Sequence, residues 1–180
     1  KLYAELLAHS GVDGLITMHC HNKKIRKFYE KEMGNDGEKI FFDVWPYSLL
    51  AHYLITKSSL KIKNGGKNIV VVSPDKGARK FSEKLRGALH LKNAGMLYLN
   101  KARKMANKPD AVTIDNPTLI GADSLEGKTI IFPDDIIDTG GTLMKTVDWL
   151  NNTHWDHGFG VPSNYFFYFT HAVMSGRAHN

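Results

Sequence analysis

Apolar positions along the chain change period repeatedly, from unbroken runs suited to buried strands to the three-and-four spacing of helices. Leu2 with Leu6, and Tyr3 with Leu7, are i, i+4 pairs that predict a helix stopping at Gly11. Leu15 to Met18 predicts a strand, Lys24 to Met33 a helix, and Ile40 to Val44 a second strand. Pro46 suits a first helical turn and opens a helix through Ile55. The polar stretch from Thr56 to Asn68, with Asn64-Gly65-Gly66 inside it, reads as a linker. Ile69 to Val72 is a strand feeding Ser73-Pro74-Asp75-Lys76-Gly77 and then a helix to Leu89. Met96 to Leu99 is a strand feeding a basic loop, Lys101 to Lys108, followed by a polar stretch with Pro109 and Pro117. Thr129 to Phe132 is apolar without alternation, as in a strand covered on both faces, and Leu143 to Leu150 has helical spacing. Tyr165 to Phe169 is the last strand. Such alternation implies an α/β fold, a mostly parallel sheet with helices on both faces.

The longest unit of candidate chemistry runs from Thr129 to Leu143: a strand, an acidic turn at Asp134-Asp135, then Asp138-Thr139-Gly140-Gly141-Thr142 opening a helix. Parallel α/β sheets bind ligands at the carboxyl ends of strands, where a helix N-terminus offers free N–H groups to an anion. Gly140 and Gly141 let backbone amides approach a phosphate with no Cβ in the way. The hydroxyls of Thr139 and Thr142 can donate to phosphate oxygens or cap the helix. Asp134 and Asp135 would repel a bare phosphate, so they should face hydrogen-bond donors. Vicinal sugar hydroxyls meet that need; a metal meets it less specifically. A pentose 5-phosphate site follows. The nucleotide P-loop and G-x-G-x-x-G patterns are absent.

Other strand ends carry further groups. His19-Cys20-His21 follows the first strand, and histidines at i and i+2 of a strand point the same way, so both could face one metal or phosphate. Zinc is disfavoured, since Cys20 would point to the opposite face and has no partner cysteine. Asp75 could hold Mg²⁺ directly or through water, with Lys76, Arg79 and Lys80 facing phosphate. The segment from Asn100 to Lys108 has the charge density of the mobile cationic loops that close over phosphoryl transfer.

Composition narrows the class. A net charge of +6 suits polyanionic ligands, but the basic residues are dispersed and no nucleic-acid module surrounds them. No apolar run reaches the length of a membrane span. Cys20 is the only cysteine, which excludes an internal disulfide and points to a reducing compartment, the cytoplasm. The chain begins at Lys1 within a helical pattern, so preceding sequence is expected.

The run from Thr129 to Leu143 resembles the phosphoribosyl-diphosphate motif of type I phosphoribosyltransferases and ribose-phosphate diphosphokinases. The rest of the chain resembles the diphosphokinase family more. Leu15 through His21 looks like its strand ending in Asp-Leu-His, and Phe42-Asp43 through Leu50 like its Asp-Asn-Leu-Tyr segment. Val71 through Gly77 is similar to Val-Ser-Pro-Asp-Ala-Gly-Gly, and Lys101-Ala102-Arg103 matches a Lys-x-Arg at the root of a catalytic flexible loop. Phe169-Thr170-His171 and Ser175-Gly176 resemble Thr-His…Phe-Ser-Gly.

The resemblance implies two phosphoribosyltransferase-type domains: residues 1–55 as the end of the first, and 56–180 as most of the second. It implies that Asp134, with Asp135 beside it, binds ribose hydroxyls, and that Asp138, Thr139, Gly140, Gly141 and Thr142 hold the 5-phosphate. His21 and Asp75 correspond to Mg²⁺–ATP contacts, and Lys101 and Arg103 to transition-state stabilisers. The implied reaction moves diphosphate from Mg–ATP to the C1 hydroxyl of ribose 5-phosphate, in a homo-oligomer built from dimers. Departures are His19 for an acid, Lys76 for Ala and Ala78 for the second Gly. They leave open a non-catalytic regulatory homologue, with a type I phosphoribosyltransferase as a further alternative.

Overall fold

The computed structural model describes residues 1–33, 40–103, 112–156 and 158–179. The chain divides into two compact units, Lys1–Pro46 and Tyr47–Asn180. The first holds α1 (Leu2–His9), β1 (Gly14–Met18), α2 (Lys24–Met33) and β2 (Ile40–Val44). β1 and β2 pair in parallel, from Gly14 opposite Ile40 to Met18 opposite Val44. Ala4 and Phe41 are buried, and Tyr29 stacks on Phe41 with ring centroids 5.6 Å apart.

The second unit opens with α3 (Tyr47–Thr56). Its sheet has the order β5-β4-β3-β6-β7, with β3 (Ile69–Ser73) central, β4 (Gly95–Arg103) and β6 (Thr129–Ile137) beside it, and β5 (Val112–Ile120) and β7 (Asn164–Ala172) at the edges. All neighbours are parallel except β4 and β5. Every residue of β3 is buried, which is why Ile69 to Val72 is an unbroken apolar run before Ser73. Alternate side chains serve two cores. Ile69 and Val71 pack with Leu50 and Leu54 of α3, Leu85 of α4 (Arg79–Ala88) and Leu89 just after it. Val70 and Val72 pack with Leu150 of α5 (Gly141–Asp156) and with Leu125. Helices therefore cover both faces, as the strand–helix alternation implies.

The compact units divide after Pro46, and Leu50, Ala51 and Leu54 of α3 belong to the core of the second unit. Three expectations are corrected. The stretch expected as a linker is instead tied down within that unit. Asn93 Nδ2 donates to Asn64 O at 2.9 Å, and Asn68 Oδ1 accepts from the Lys63 amide at 2.9 Å. Gly66, at φ +92°, lies so close to its neighbours that a Cβ would meet Leu91 Cδ2 at 2.9 Å.

The segment expected as a loop from Lys101 is strand as far as Arg103, with Lys101 opposite Ile114 and Arg103 opposite Val112. Its partner β5 contains Pro117, which an edge strand tolerates because one side of its backbone needs no ladder bond. The remainder of the expected loop, 104–108, lies outside the described residues. Lastly, β6 does not end at Phe132 but runs to Ile137, paired with β7 through Ile137 opposite Ala172. Its pairs with β3 stop at Ile131, so Pro133 and both aspartates lie on a two-stranded extension beyond the sheet's centre.

Candidate functional site

At the end of that extension the chain turns through Asp138, Thr139 and Gly140 into α5. Gly140 holds φ +75°, a left-handed value that glycine adopts without a Cβ penalty. Its carbonyl accepts the Met144 amide at 3.0 Å, which closes the first turn of the helix. The earliest amides of α5 have no intrahelical acceptor and form a positive end. A cavity of about 260 Å³ opens here, lined by Asp134, residues 138–142 and an apolar wall including Phe132, Ile136, Leu143 and Phe169. No Lys or Arg is among these lining residues, so an anion would be held by amides, the Thr139 and Thr142 hydroxyls and the helix end.

The structure brings together Asp134, Asp138, Thr139, Gly140, Gly141 and Thr142 around one opening. Asp135 does not line it. Phe132, Asp134 and Ile136 line it at alternate positions of β6, which puts Asp134 rather than Asp135 on the cavity side. Asp134 Oδ1 accepts the Asp135 amide at 3.0 Å, which helps to fix its carboxylate. Spacing alone did not single out Phe169: it joins the cavity because β7 pairs with β6 and sets Phe169 opposite Asp134.

At the neighbouring strand end, Asp75 turns the chain from β3 into α4. Its Oδ1 accepts the Ala78 amide at 2.9 Å, and its carbonyl accepts from the Ser73 hydroxyl at 2.9 Å. One carboxylate oxygen thus holds the turn that leads into the helix, and Oδ2 is the oxygen that could meet a hard cation. Arg79 is held beside this turn, its guanidinium 4.5 Å from the ring centre of Tyr98. Burial, together with a 3.0 Å hydrogen bond to Glu83, raises the Tyr98 phenol above its ordinary pKa. Among the described residues no three His, Cys, Asp or Glu side chains converge as a metal cluster. Mg²⁺ does not require one, since it keeps waters and takes phosphate oxygens beside one or two carboxylates.

His19 and His21 both lie beyond the end of β1, so the strand alternation that would have set them on one face does not apply to them. β1 ends at Met18, and His19 turns to φ +49°, buried beside Trp45 with ring centroids 5.7 Å apart. That left-handed turn breaks the strand alternation on which the pairing depended. His21 is exposed. Asp43 holds the turn: Oδ1 accepts the Cys20 amide and Oδ2 the Trp45 indole N–H, both at 2.8 Å. The backbones of Lys101 and Arg103 lie in β4; their side chains are outside those described.

The Phosphoribosyl transferase domain family matches residues 50–155, which contain β3, α4, the 138–142 loop and α5 up to its last residue. The chain belongs to this family. Among phosphoribosyl transferase relatives, the ribose-phosphate pyrophosphokinase of Helicobacter hepaticus is 31% identical over 183 residues, covering 99% of this chain and 47% of that protein. Ribose-phosphate pyrophosphokinase 5 of Schizosaccharomyces pombe is 30% identical over 177 residues, covering 98% and 43%. The chain spans about half the length of the curated relatives it matches.

Among solved structures, phosphoribosylpyrophosphate synthetase from Mycobacterium smegmatis superposes with a TM-score of 0.65 at 24% identity, over 99% of this chain and 49% of that one. A hypoxanthine phosphoribosyltransferase from Staphylococcus aureus gives 0.50 at 16% identity, over 71% of this chain and 70% of that one. Both share the phosphoribosyl transferase fold. The match of the first extends across both compact units.

Proposed function

We propose that this chain carries the sugar-phosphate part of a ribose-phosphate diphosphokinase, which transfers diphosphate from Mg–ATP to ribose 5-phosphate. The observation that carries the reading is the cavity where Asp134 and the 138–142 loop share one opening. The loop amides and threonine hydroxyls bind the 5-phosphate, and Asp134 accepts hydrogen bonds from the ribose hydroxyls. The C1 hydroxyl attacks the β-phosphorus of ATP in line, giving up its proton. The bond from that phosphorus to the α,β-bridging oxygen breaks, and AMP leaves with the electron pair. Protein groups position the reactants and neutralise charge. Lys101 and Arg103 act on the charge that develops during transfer, while Asp75 Oδ2 and His21 serve Mg–ATP. The metal, when bound, supplies charge neutralisation on the phosphate oxygens. The likeness to pyrophosphokinases over 99% of the chain supports ATP as donor and a homo-oligomeric, cytoplasmic enzyme.

Lys76, exposed next to Asp75, is the observation that favours a non-catalytic homologue, since an ammonium there competes with a metal. The test is ³¹P NMR of the full-length protein with Mg²⁺, ATP and ribose 5-phosphate. Formation of AMP with an anomeric diphosphate is the expected result. Binding of ribose 5-phosphate without turnover would overturn the catalytic reading in favour of the regulatory one.

A further inference from the structure

Asp138 opens the phosphate loop, yet a carboxylate has no hydrogen to give a phosphate and repels its charge. Its surroundings resolve the difficulty. Beyond β7 the chain doubles back on the end of β6: the Val173 and Met174 amides donate to Ile137 O at 2.9 and 3.2 Å, and the Ser175 amide donates to Asp138 O at 3.1 Å. Met174 takes φ +54° to make this return, a costly conformation for a side chain of its size that the three amide bonds hold in place. The Ser175 hydroxyl then donates to Asp138 Oδ1. Just after it, the 3₁₀ turn Gly176–His179 lies beside the loop, with Ala178 Cβ 3.8 Å from where a Cβ on Gly140 would stand.

We propose that Ser175 is a positioning residue of the sugar-phosphate site, holding the Asp138 carboxylate away from the bound phosphate and fixing the loop at its first residue. The proposal rests on the reading of the cavity given above and deepens it. Asp138 is then an anchor of the loop rather than a phosphate ligand. A charge-assisted bond of this kind is among the stronger hydrogen bonds, and losing it frees the carboxylate to swing towards the anion.

The test uses the full-length protein, with calorimetric titration of ribose 5-phosphate, inorganic phosphate and ATP. Ser175→Ala should weaken both ribose 5-phosphate and inorganic phosphate by roughly tenfold. ATP affinity and Tm should be unchanged, and Ser175→Thr, which keeps the hydroxyl, should restore binding. In an Asp138→Asn background the effect of Ser175→Ala should shrink below about twofold, because the charge being steered is gone. Unchanged affinity in Ser175→Ala overturns the proposal. So does an equal loss of ATP binding with a lowered Tm, or a full loss in the Asp138→Asn background. Wild-type protein that binds inorganic phosphate but not ribose 5-phosphate overturns the sugar-phosphate reading alone, and the phosphate titrations still read Ser175. Wild-type protein that binds neither overturns both.

Discussion

Asp134 and Asp135 are adjacent carboxylates with different surroundings, and a strand's period of two separates them. Asp134 shares the cavity with the phosphate loop and Asp135 does not. Asp134→Ala should weaken ribose 5-phosphate binding by roughly a hundredfold, since several donors on the sugar lose a charged acceptor. Asp135→Ala should cost far less, and calorimetric titration of both variants checks the ratio. Comparable losses would place the ribose elsewhere. The two histidines carry the same lesson in the other direction. Their i, i+2 spacing is real, but the left-handed backbone of His19 and its contact with Trp45 leave only His21 exposed.

Among the elements, the strands that run past the centre of the sheet shape the site. β6 leaves β3 after Ile131 and continues with β7 alone, which carries Asp134 out to the loop. β4 does likewise with β5, carrying the backbones of Lys101 and Arg103 along an antiparallel ribbon rather than a free loop. On the proposed function, Lys101 acts on the charge formed in transfer. Lys101→Ala should therefore lower kcat by roughly a hundredfold or more while changing ATP affinity little, as for a group acting on charge formed in transfer. Steady-state kinetics with an independent ATP Kd separates the two. Equal loss in both would reduce Lys101 to an ordinary binding residue. Both extensions escape a hydropathy reading because Pro133, Asp134, Asp135 and Pro117 are poor strand formers, kept there by partners distant in the chain.

At the scale of the molecule, the second unit rests on one central strand serving two cores, and its helices anchor to β3 from either side. Leu85, fully buried between α4 and the sheet, touches this arrangement directly. Leu85→Ala should lower the unfolding free energy by about 3 kcal/mol, through lost burial and the cavity left behind. A urea titration of the unfolding transition checks it, with a loss under about 1 kcal/mol marking a site that collapses freely. The sequence by itself determined the α/β class, the order of strands and helices along most of the chain, and the glycine loop opening α5. Each of those depends on neighbours within a few residues: apolar period, a proline at a helix start, glycines where backbone must approach a ligand. Tertiary structure alone decided which aspartate faces the cavity, how far β4 and β6 run, that α3 belongs to the second core, and that Ser175 meets Asp138. These depend on pairing between segments far apart in the chain, and the energy of a ladder or a latch is not written in either partner alone.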